Sequence, residues 1–459
     1  MRTKQTKPIR LITLGCSKNT VDSEKLLKQF RANGFYTIDD QENIKPSLVV
    51  INTCGFIGDA KEESVDTILS YIDEKKKGNV EKVIVIGCLA QRYREELQKE
   101  IPEMDSIFGL NEVTGLLHYL GGNFRDELVG ERILTTPSHF AYLKISEGCS
   151  HGCSFCAIPL IRGNHVSRPV EAILNEAEYL VQNGVRELIL IAQDLTWYGM
   201  DLYRRRSLPS LVEKLASISG LEWIRLHYTY PAGFPLDLLR VMNQYPNICN
   251  YIDIPVQHNC NRILRSMKRG ITAGKTMKLL ETIRKLLPGA AIRTTLIVGY
   301  PGETDQEFDE LTRFIEEFRF DRLGVFSYSH EEGTPAYRLR DDIPEKVKNQ
   351  RADEIMRIQE NISYELNSIK LGKVVTVLVD REEGEFYVGR TEHDSPEIDN
   401  EVLIKRDQTL IIPGNFYSVE ITDIESFDIF GRVPHPPSQY FTPRPLHHGG
   451  EGERGGVIK

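Results

Sequence analysis

Short apolar runs alternate with longer amphipathic segments along most of this chain, and this alternation restricts its fold more than any other feature. In the first region, residues 8–120, apolar runs stand at Ile9–Leu14, Leu48–Asn52 and Val83–Ile86. Segments of helical periodicity follow them, at Asp22–Ala32, Asp59–Lys77 and Arg92–Lys99. Strands that alternate with helices form parallel sheets covered by helices. The first region is therefore predicted to be an α/β domain with a doubly wound parallel sheet.

The same alternation continues at greater length in the second region, residues 135–345. Six candidate strands lie there, at Ala141–Ser146, Glu187–Ala192, Trp223–Tyr228, Tyr251–Val256, Ala291–Val298 and Leu323–Tyr328. Helical segments such as Pro169–Asn183 and Thr304–Glu317 separate them. Six βα units are fewer than a closed eightfold barrel needs, so we expect an incomplete (βα)6 barrel. Residues 346–370 have the pattern of one charged linker helix leading out of it.

The pattern changes in the third region, residues 371–433. Short β runs lie at Val374–Val379, Phe386–Arg390, Val402–Ile404 and Tyr417–Ile421, with Gly, Pro, Asp and Asn between them. This pattern predicts a small antiparallel β-barrel. The remaining segment, 434–459, is rich in Pro, Gly and His and is predicted to be disordered.

The charge balance restricts the class of partner. The 459-residue chain has a formal net charge of −9, whereas a nucleic-acid binder needs an excess of Lys and Arg on some surface. Met1–Arg10 is basic, but the apolar run Leu11–Leu14 is too short for a signal peptide, and no stretch has the length of a membrane span. We therefore expect a cytoplasmic protein without a membrane segment. Thiols stay reduced there, so the eight cysteines suggest metal ligation or catalysis before disulfides.

Three cysteines stand close together just after the first strand of the predicted barrel. Cys149, Cys153 and Cys156 have the spacing C-x3-C-x2-C, and loops at this end of barrel strands carry the chemistry of barrel enzymes. Three thiolates can hold three irons of a four-iron cluster and leave the fourth iron open. The alternative is a structural zinc site with His151 as the fourth ligand, although zinc sites usually show paired ligand motifs.

This cysteine spacing at a barrel mouth resembles the radical S-adenosylmethionine (SAM) superfamily. The resemblance implies that the open iron of a 4Fe-4S cluster chelates the amino and carboxylate groups of SAM. It also implies that one electron cleaves this cofactor to a 5′-deoxyadenosyl radical.

Three further cysteines each follow an apolar strand of the first region. Cys16, Cys54 and Cys88 are separated by 38 and then 34 positions, about one βαβ unit each. Parallel strands bring their carboxyl ends to one edge, so these residues should converge and could hold a second, auxiliary cluster. Singly, each has a simpler reading as a small buried hydrophobe, and Cys16-Ser-Lys-Asn could be a nucleophile motif. Cys249 and Cys260 lack such a placement and are expected to be structural.

Together, the six cysteines and the order of the regions resemble the methylthiotransferase family over residues 8–433. The resemblance implies two 4Fe-4S clusters and two molecules of SAM per turnover, one as methyl donor and one as radical source. It also implies a flavodoxin- or ferredoxin-type electron donor. The sequence contains no Ser–His–Asp pattern, Walker loop or HExxH motif that would indicate ionic catalysis. A rival of another class is a non-catalytic iron–sulfur carrier, which would need neither an open iron nor a large barrel.

Polar residues and one glycine turn at the ends of barrel strands are candidates for the SAM pocket. Gln193 and Asp194 end the second strand, and Gly299 and Glu303 belong to a turn that resembles the superfamily's adenine-binding motif. Other residues at strand ends are His227, Tyr228, Gln257 and His258. For each of them, a structural role is the alternative.

The substrate prediction depends on the charge of the third region and on short motifs. Residues 371–433 contain six basic and fourteen acidic residues, a balance that repels phosphate and attracts a basic protein. Asp394–Asp399, His227–Pro231 and Tyr251–Pro255 resemble the family branch that modifies an aspartate β-carbon of the basic small-subunit ribosomal protein S twelve. The rival is the branch that modifies an adenosine of transfer RNA, whose TRAM-type barrel is basic.

Overall fold

The computed structural model describes residues 7–39, 42, 44–406 and 410–434. The predicted disorder of segment 434–459 therefore falls, from residue 435 onward, outside the described residues. No helix within the described ranges combines the length and the apolar character needed to cross a membrane.

The N-terminal region is a five-stranded sheet in which every pairing is parallel. Its strands are β1 (Pro8–Thr13), β2 (Tyr36–Ile38), β3 (Leu48–Thr53), β4 (Lys82–Gly87) and β5 (Ser106–Ile107), in the order β2-β1-β3-β4-β5. Its helices are α1 (Ser17–Ala32), α2 (Gly58–Lys76), α3 (Cys88–Arg92), α4 (Arg94–Glu100) and α5 (Val113–Tyr119).

Strand β3 shows why the sheet is covered on both faces. All six of its residues are buried, and successive side chains point to opposite faces of a strand. Val49 and Ile51 pack in a cluster with helix α2, whereas Leu48 and Val50 pack in a second cluster with helices α1 and α5. The prediction of a doubly wound sheet is confirmed.

The central region is an open barrel made of two three-stranded parallel sheets. Its strands are β6 (Phe140–Lys144), β7 (Ser146–Glu147), β8 (Val166–Ser167), β9 (Glu187–Ile191), β10 (Trp223–Leu226), β11 (Tyr251–Asp253), β12 (Ala291–Val298) and β13 (Arg322–Ser327). Its helices are α6 (Ile158–Arg162), α7 (Val170–Gln182), α8 (Leu208–Ala216), α9 (Asp237–Gln244), α10 (Asn261–Ser266), α11 (Ala273–Leu286) and α12 (Asp305–Phe318). Short 3-10 helices lie at Asp126–Leu128, Leu195–Trp197 and Pro335–Arg338.

The two sheets have the orders β6-β9-β10 and β11-β12-β13, and a parallel bridge between Ile224 and Ile248 joins them. The resulting order of six strands is that of the predicted incomplete barrel. The antiparallel pair β7–β8 was not predicted, because two-residue strands have no periodicity to detect. Helix α13 (Glu345–Ser368) then leads out of the barrel and packs on β13 and α12.

The C-terminal region is a closed barrel of five strands. They are β14 (Val374–Glu383), β15 (Phe386–Arg390), β16 (Val402–Lys405), β17 (Phe416–Ile424) and β18 (Ile429–Arg432), in the order β14-β15-β16-β18-β17. Four pairings are antiparallel, as predicted, but β16 and β18 pair in parallel. A closed ring with an odd number of strands cannot alternate direction throughout, so one parallel seam is unavoidable.

Buried ion pairs join the small barrel to the open barrel. Glu187 contacts Arg225 at 2.8 Å and Arg390 at 2.8 Å, and all three side chains are 2% exposed or less. Asp380 of the small barrel accepts hydrogen bonds from Arg390 and lies 2.7 Å from the His139 ring. These contacts fix the small barrel beneath the amino ends of β9 and β10.

Candidate functional site

The three N-terminal cysteines meet at the carboxyl edge of the first sheet. Strands β1, β3 and β4 are neighbours, and Cys16 caps helix α1, Cys54 follows β3 directly and Cys88 begins α3 after β4. Gly15 has a φ of +88°, and a Cβ on it would lie 2.7 Å from the Cys54 Cβ. Only glycine adopts this backbone freely and leaves that space, so Gly15 lets the Cys16 turn approach Cys54.

The thiols of this set influence one another. Burial, with smaller contributions from the neighbouring Cys16 and Cys54 thiols, raises the pKa of Cys88 to about 12, although the Arg162 guanidinium opposes the shift. Burial also raises the pKa of Cys54. Thiolates at such positions need a positive partner, and metal coordination supplies one. Three thiols at one sheet edge are the donor type that an iron–sulfur cluster takes, although among the described residues no three such side chains are grouped as a site for a single metal ion.

The second set of cysteines lies in the loop between β7 and α6. The Cys149 N–H donates to the Gly163 carbonyl at 3.0 Å, and the Ser154 N–H donates to the Met267 carbonyl at 3.0 Å. The Arg269 guanidinium donates to the Cys153 Sγ at 3.4 Å. Burial raises the pKa of Cys149 to about 11 and that of Cys156 to about 12. The two sets share one feature: each has a buried thiol, Cys88 or Cys153, with a guanidinium beside it, whereas Cys16 is exposed.

The two sets of cysteines face each other. Cys88 packs against Ala157 and Ile161, which follow directly on Cys156. Arg162, at the end of α6, donates to the Cys88 Sγ at 3.5 Å and to the Asn19 Oδ1 at 2.6 Å. A cluster bound by either set would thus lie close to one bound by the other.

Arg162 and its partners were not predicted from the sequence. The guanidinium also contacts Glu147 at 2.8 Å and Asp22 at 3.1 Å, and Lys144 binds the same two carboxylates. In the sequence, the only sign of a role for Asn19 and Glu147 is that each stands within three positions of a cysteine, Cys16 or Cys149. The pairing of Arg162 with Asn19 could not be predicted, because the two residues are 143 positions apart.

His151, the alternative fourth ligand of a zinc site, is held by other groups. Its Nε2 lies 2.6 Å from the Asp194 Oδ2, and its ring stacks on Tyr230 with centroids 3.9 Å apart. The second Asp194 oxygen accepts from the Thr196 N–H at 2.7 Å. Asp194, predicted to line the SAM pocket, therefore positions the cysteine loop through His151.

Two buried amide oxygens near the ends of barrel strands have no hydrogen-bond partner within the described residues, and they test whether the site fits a bound cofactor. Gln193 donates to the Glu147 Oε1 at 3.3 Å, but its own Oε1 is buried without a hydrogen-bond partner in the described chain, and so is the Gln257 Oε1. Buried polar atoms are normally paired. Both atoms lie just beyond barrel strands, where a ligand with amino and hydroxyl groups would pair them. The fit supports the prediction for Gln193.

Gly299 and Glu303 form a tight turn after β12. The Glu303 Oε2 accepts hydrogen bonds from the backbone N–H groups of Gly299 and of Tyr300, the latter at 3.1 Å. A Cβ on Gly299, whose φ is +71°, would lie 2.3 Å from the Lys348 Cγ. The turn also approaches the end of the fourth barrel strand, since the Glu303 Oε1 lies 3.8 Å from the His258 Nε2, and a role in SAM binding stays a prediction.

The remaining strand-end residues divide between the mouth and the base of the barrel. The His258 Nδ1 accepts from the Cys260 N–H at 2.9 Å, and its Nε2 has no hydrogen-bond partner within the described residues. His227 lies at the base instead, because its Nε2 is 2.7 Å from the Ser395 Oγ of the small barrel. Tyr228 has a φ of +62° and lies beneath the Lys18 ammonium.

The three motifs that suggested a ribosomal-protein substrate form one junction. Tyr251 donates to the Asp399 Oδ2 at 2.6 Å, and Arg293 lies 3.1 Å from Asp253 and 3.3 Å from Asp399. Burial alone would raise the pKa of Asp394, but the Arg322 guanidinium, with Nε 2.9 Å away, holds it below its usual range. These motifs attach the small barrel to the open barrel.

This junction changes the charge count of the small barrel. The side chains of Asp380, Asp394, Asp399 and Arg390 are all buried, none more than 8% exposed. Of the residues counted from the sequence, eleven acidic and five basic ones remain outside this buried group. Acidic residues therefore still outnumber basic ones in the small barrel.

Comparison with known families places a match on each of the three regions. Residues 8–109 match a family described as Uncharacterized protein family UPF0004, residues 143–315 match the Radical SAM superfamily, and residues 371–433 match the TRAM domain. A solved structure of the radical SAM methyltransferase TsrM from Kitasatospora setae has a TM-score of 0.51 over 72% of this chain and 77% of that chain, at 14% identity. That likeness concerns the fold alone.

Curated relatives match the chain over nearly its whole length. It is 54% identical to the ribosomal protein uS12 methylthiotransferase RimO of Christiangramia forsetii, over 94% of this chain and 96% of that protein. It is 56% identical to the protein of the same name from Flavobacterium johnsoniae, over 94% of this chain and 99% of that one. With this identity and coverage, the chain belongs to the ribosomal protein uS12 methylthiotransferase (RimO) family and is a radical SAM methylthiotransferase.

Proposed function

We propose that this enzyme adds a methylthio group to the β-carbon of an aspartate in ribosomal protein uS12, using two 4Fe-4S clusters and two molecules of SAM per turnover. The observation that carries the proposal is the contact of Cys88, from the first cysteine set, with Ala157, Ile161 and Arg162, which follow Cys156 of the second set within six positions. Cys149, Cys153 and Cys156 would hold the cluster that binds SAM, and Cys16, Cys54 and Cys88 the auxiliary one. The names of the relatives support the choice of substrate.

When bound, the clusters would supply one-electron cleavage of SAM, the means to remove hydrogen from an unactivated carbon, and a source of sulfur. The side chains of the protein hold the ligand residues in position. Arg162 links the helix after the cysteine loop to Cys88, His151 and Asp194 orient the cysteine loop, and Arg269 places a positive charge against Cys153. No general base is required, because the aspartate β-carbon is not acidic enough for ionic catalysis at neutral pH. A flavodoxin- or ferredoxin-type protein would provide the electron.

The charge of the small barrel supports a protein substrate. Its excess of acidic over basic residues, fourteen to six, repels the phosphates of transfer RNA and attracts a basic ribosomal protein. The rival function, methylthiolation of a transfer-RNA adenosine, requires the same cysteines but a basic binding surface.

The first prediction tests the auxiliary cluster. After anaerobic reconstitution, Cys16→Ala should bind about four irons in place of about eight, because one of two clusters loses a ligand. The variant should still cleave SAM to 5′-deoxyadenosine, but should form no methylthiolated product. Iron and sulfide analysis, with chromatography of the cleaved cofactor, provides the measurement.

The matched control is Cys260→Ser. The Cys260 Sγ donates to the Glu307 Oε1 at 3.0 Å, a bond that serine can retain, so iron content should be unchanged. A Cys16→Ala protein with a full complement of iron would contradict the proposal. An iron–sulfur carrier without enzymatic activity would show no SAM cleavage in either protein.

The second prediction tests the substrate. Incubation of the reconstituted enzyme with uS12, SAM and reductant should add the mass of one methylthio group to a single aspartate, found by mass spectrometry of proteolytic peptides. Transfer RNA in a parallel reaction should remain unmodified. Methylthiolated adenosine in that RNA, with unmodified uS12, would establish the rival function.

A further inference from the structure

Lys18 is a buried ammonium without a carboxylate partner among the described residues. It is 7% exposed, and its recorded contact is with the face of Tyr228, 3.2 Å below the Nζ. Three other buried cations, Lys144, Arg162 and Arg293, each bind two carboxylates, whereas Arg269 lies against the Cys153 Sγ and the Pro255 carbonyl. An ammonium removed from water is costly without an anion, and an aromatic face compensates only part of that cost.

The start of helix α1 adds two further features that favour an anion at this place. This 16-residue helix has no acidic residue in its first turn, and Cys16 forms no side-chain cap. The Ser17 Oγ is buried and has no hydrogen-bond partner in the described structure. Helix amino ends carry partial positive charge, which a lysine makes worse and an anion relieves. The Ser17 hydroxyl, the Lys18 ammonium and the amino end of helix α1 thus all lack an anionic partner within the described residues.

Lys18 lies between the two cysteine sets. It is two positions from Cys16, while Tyr228, beneath its ammonium, belongs to the end of strand β10 in the open barrel. The Tyr228 carbonyl accepts from the Leu195 N–H at 3.0 Å, next to Asp194, which holds His151 of the cysteine loop. The unmatched charge therefore lies where helix α1 meets the end of strand β10, near Cys16 and the open barrel.

We propose that Lys18, with the Ser17 hydroxyl, binds the carboxylate of the target aspartate. This inference rests on the proposed function and names the residue that selects its substrate. In aspartate the carboxylate is bonded directly to the β-carbon, so an anchored carboxylate fixes the reacting carbon within one bond. Asparagine lacks the charge and would not be held.

The rival anion is an auxiliary cluster on Cys16, Cys54 and Cys88. The cation recorded against those thiols is Arg162, 3.5 Å from the Cys88 Sγ, whereas the Lys18 ammonium lies over a barrel tyrosine. This geometry favours the substrate carboxylate, and the experiment below separates the two.

The test is equilibrium binding of purified uS12 to the reconstituted enzyme, measured anaerobically. Native uS12 is compared with a variant in which the modified aspartate is replaced by asparagine. Wild-type enzyme should bind the native protein about 10- to 100-fold more tightly, as expected for one charge-assisted contact. Lys18→Met should bind both forms equally and at the affinity of the asparagine form, while Lys18→Arg should recover part of the preference.

Lys28→Met is the matched control, because Lys28 lies on the same helix and pairs with Glu131 at 2.7 Å. It should retain the wild-type preference. A Lys18→Met enzyme that still prefers aspartate would overturn this inference and leave the proposed function intact. Reduced iron content in Lys18→Met would also overturn it, because it would assign Lys18 to the cluster. Absence of uS12 binding and of methylthiolation in the wild-type enzyme would overturn both.

Discussion

Cys153→Ala is expected to reduce cleavage of SAM by at least about 10³-fold, to the level of the uncatalysed reaction. Cys153 is buried at 8% exposure and has two polar neighbours, the Arg269 guanidinium at 3.4 Å and the Tyr230 hydroxyl at 3.6 Å. Alanine removes one of three thiolates that would hold the SAM-binding cluster, and the orphaned guanidinium leaves no replacement ligand. Formation of 5′-deoxyadenosine under dithionite, followed by chromatography, measures the effect.

The comparison with Cys16→Ala makes this prediction specific. Both variants lose one thiolate, yet only Cys153→Ala should lose cofactor cleavage, because only its set belongs to the barrel mouth. If Cys153→Ala cleaved SAM at the wild-type rate, the C-x3-C-x2-C loop would not hold the catalytic cluster. If both variants lost cleavage equally, the two sets would not have separate roles.

Glu187→Ala is expected to destabilise the folded protein by about 3–5 kcal/mol. Burial alone would raise the pKa of Glu187, but the Arg390 and Arg225 guanidinium groups outweigh it and lower the pKa. Alanine leaves both guanidinium groups buried without this carboxylate. The midpoint of urea unfolding, followed by circular dichroism on the reduced protein without clusters, should fall accordingly.

Glu383→Ala is the matched control for this stability prediction. Glu383 pairs with Arg381 at 2.7 Å on the surface of the same small barrel, where both side chains are at least 44% exposed. Exposed pairs contribute about 0–1 kcal/mol, so the midpoint should change little. Equal effects of the two variants would show that the Glu187 network does not hold the two barrels together.

Local sequence patterns were sufficient to predict the three regions, because long buried strands carry strong periodicity. Strand β3 begins with four consecutive apolar residues, all six of its residues are buried, and Cys54 follows directly. Shorter elements escaped prediction. Strand β2 has three residues, and β18 has four, with a glycine among them, so neither offers enough positions for a pattern.

Contacts between residues far apart in the sequence were the other feature that could not be predicted. The motifs at Asp394–Asp399 and Tyr251–Pro255 were noticed as signs of a substrate class, but their side chains bind each other. No local pattern reveals such pairing. In the same way, the lack of a carboxylate partner for Lys18 within the described residues emerges only from the three-dimensional contacts.

The junction made by Asp394, Asp399, Arg293 and Arg322 has a consequence for protein engineering. Its members come from three segments of the chain, and each buried charge is complete only in the presence of its partner. A chimaera that received its small barrel from a relative with another junction would enclose unmatched charges. Exchange of this module therefore requires transplantation of both surfaces at once, which ties the origin of the module to that of the catalytic portion.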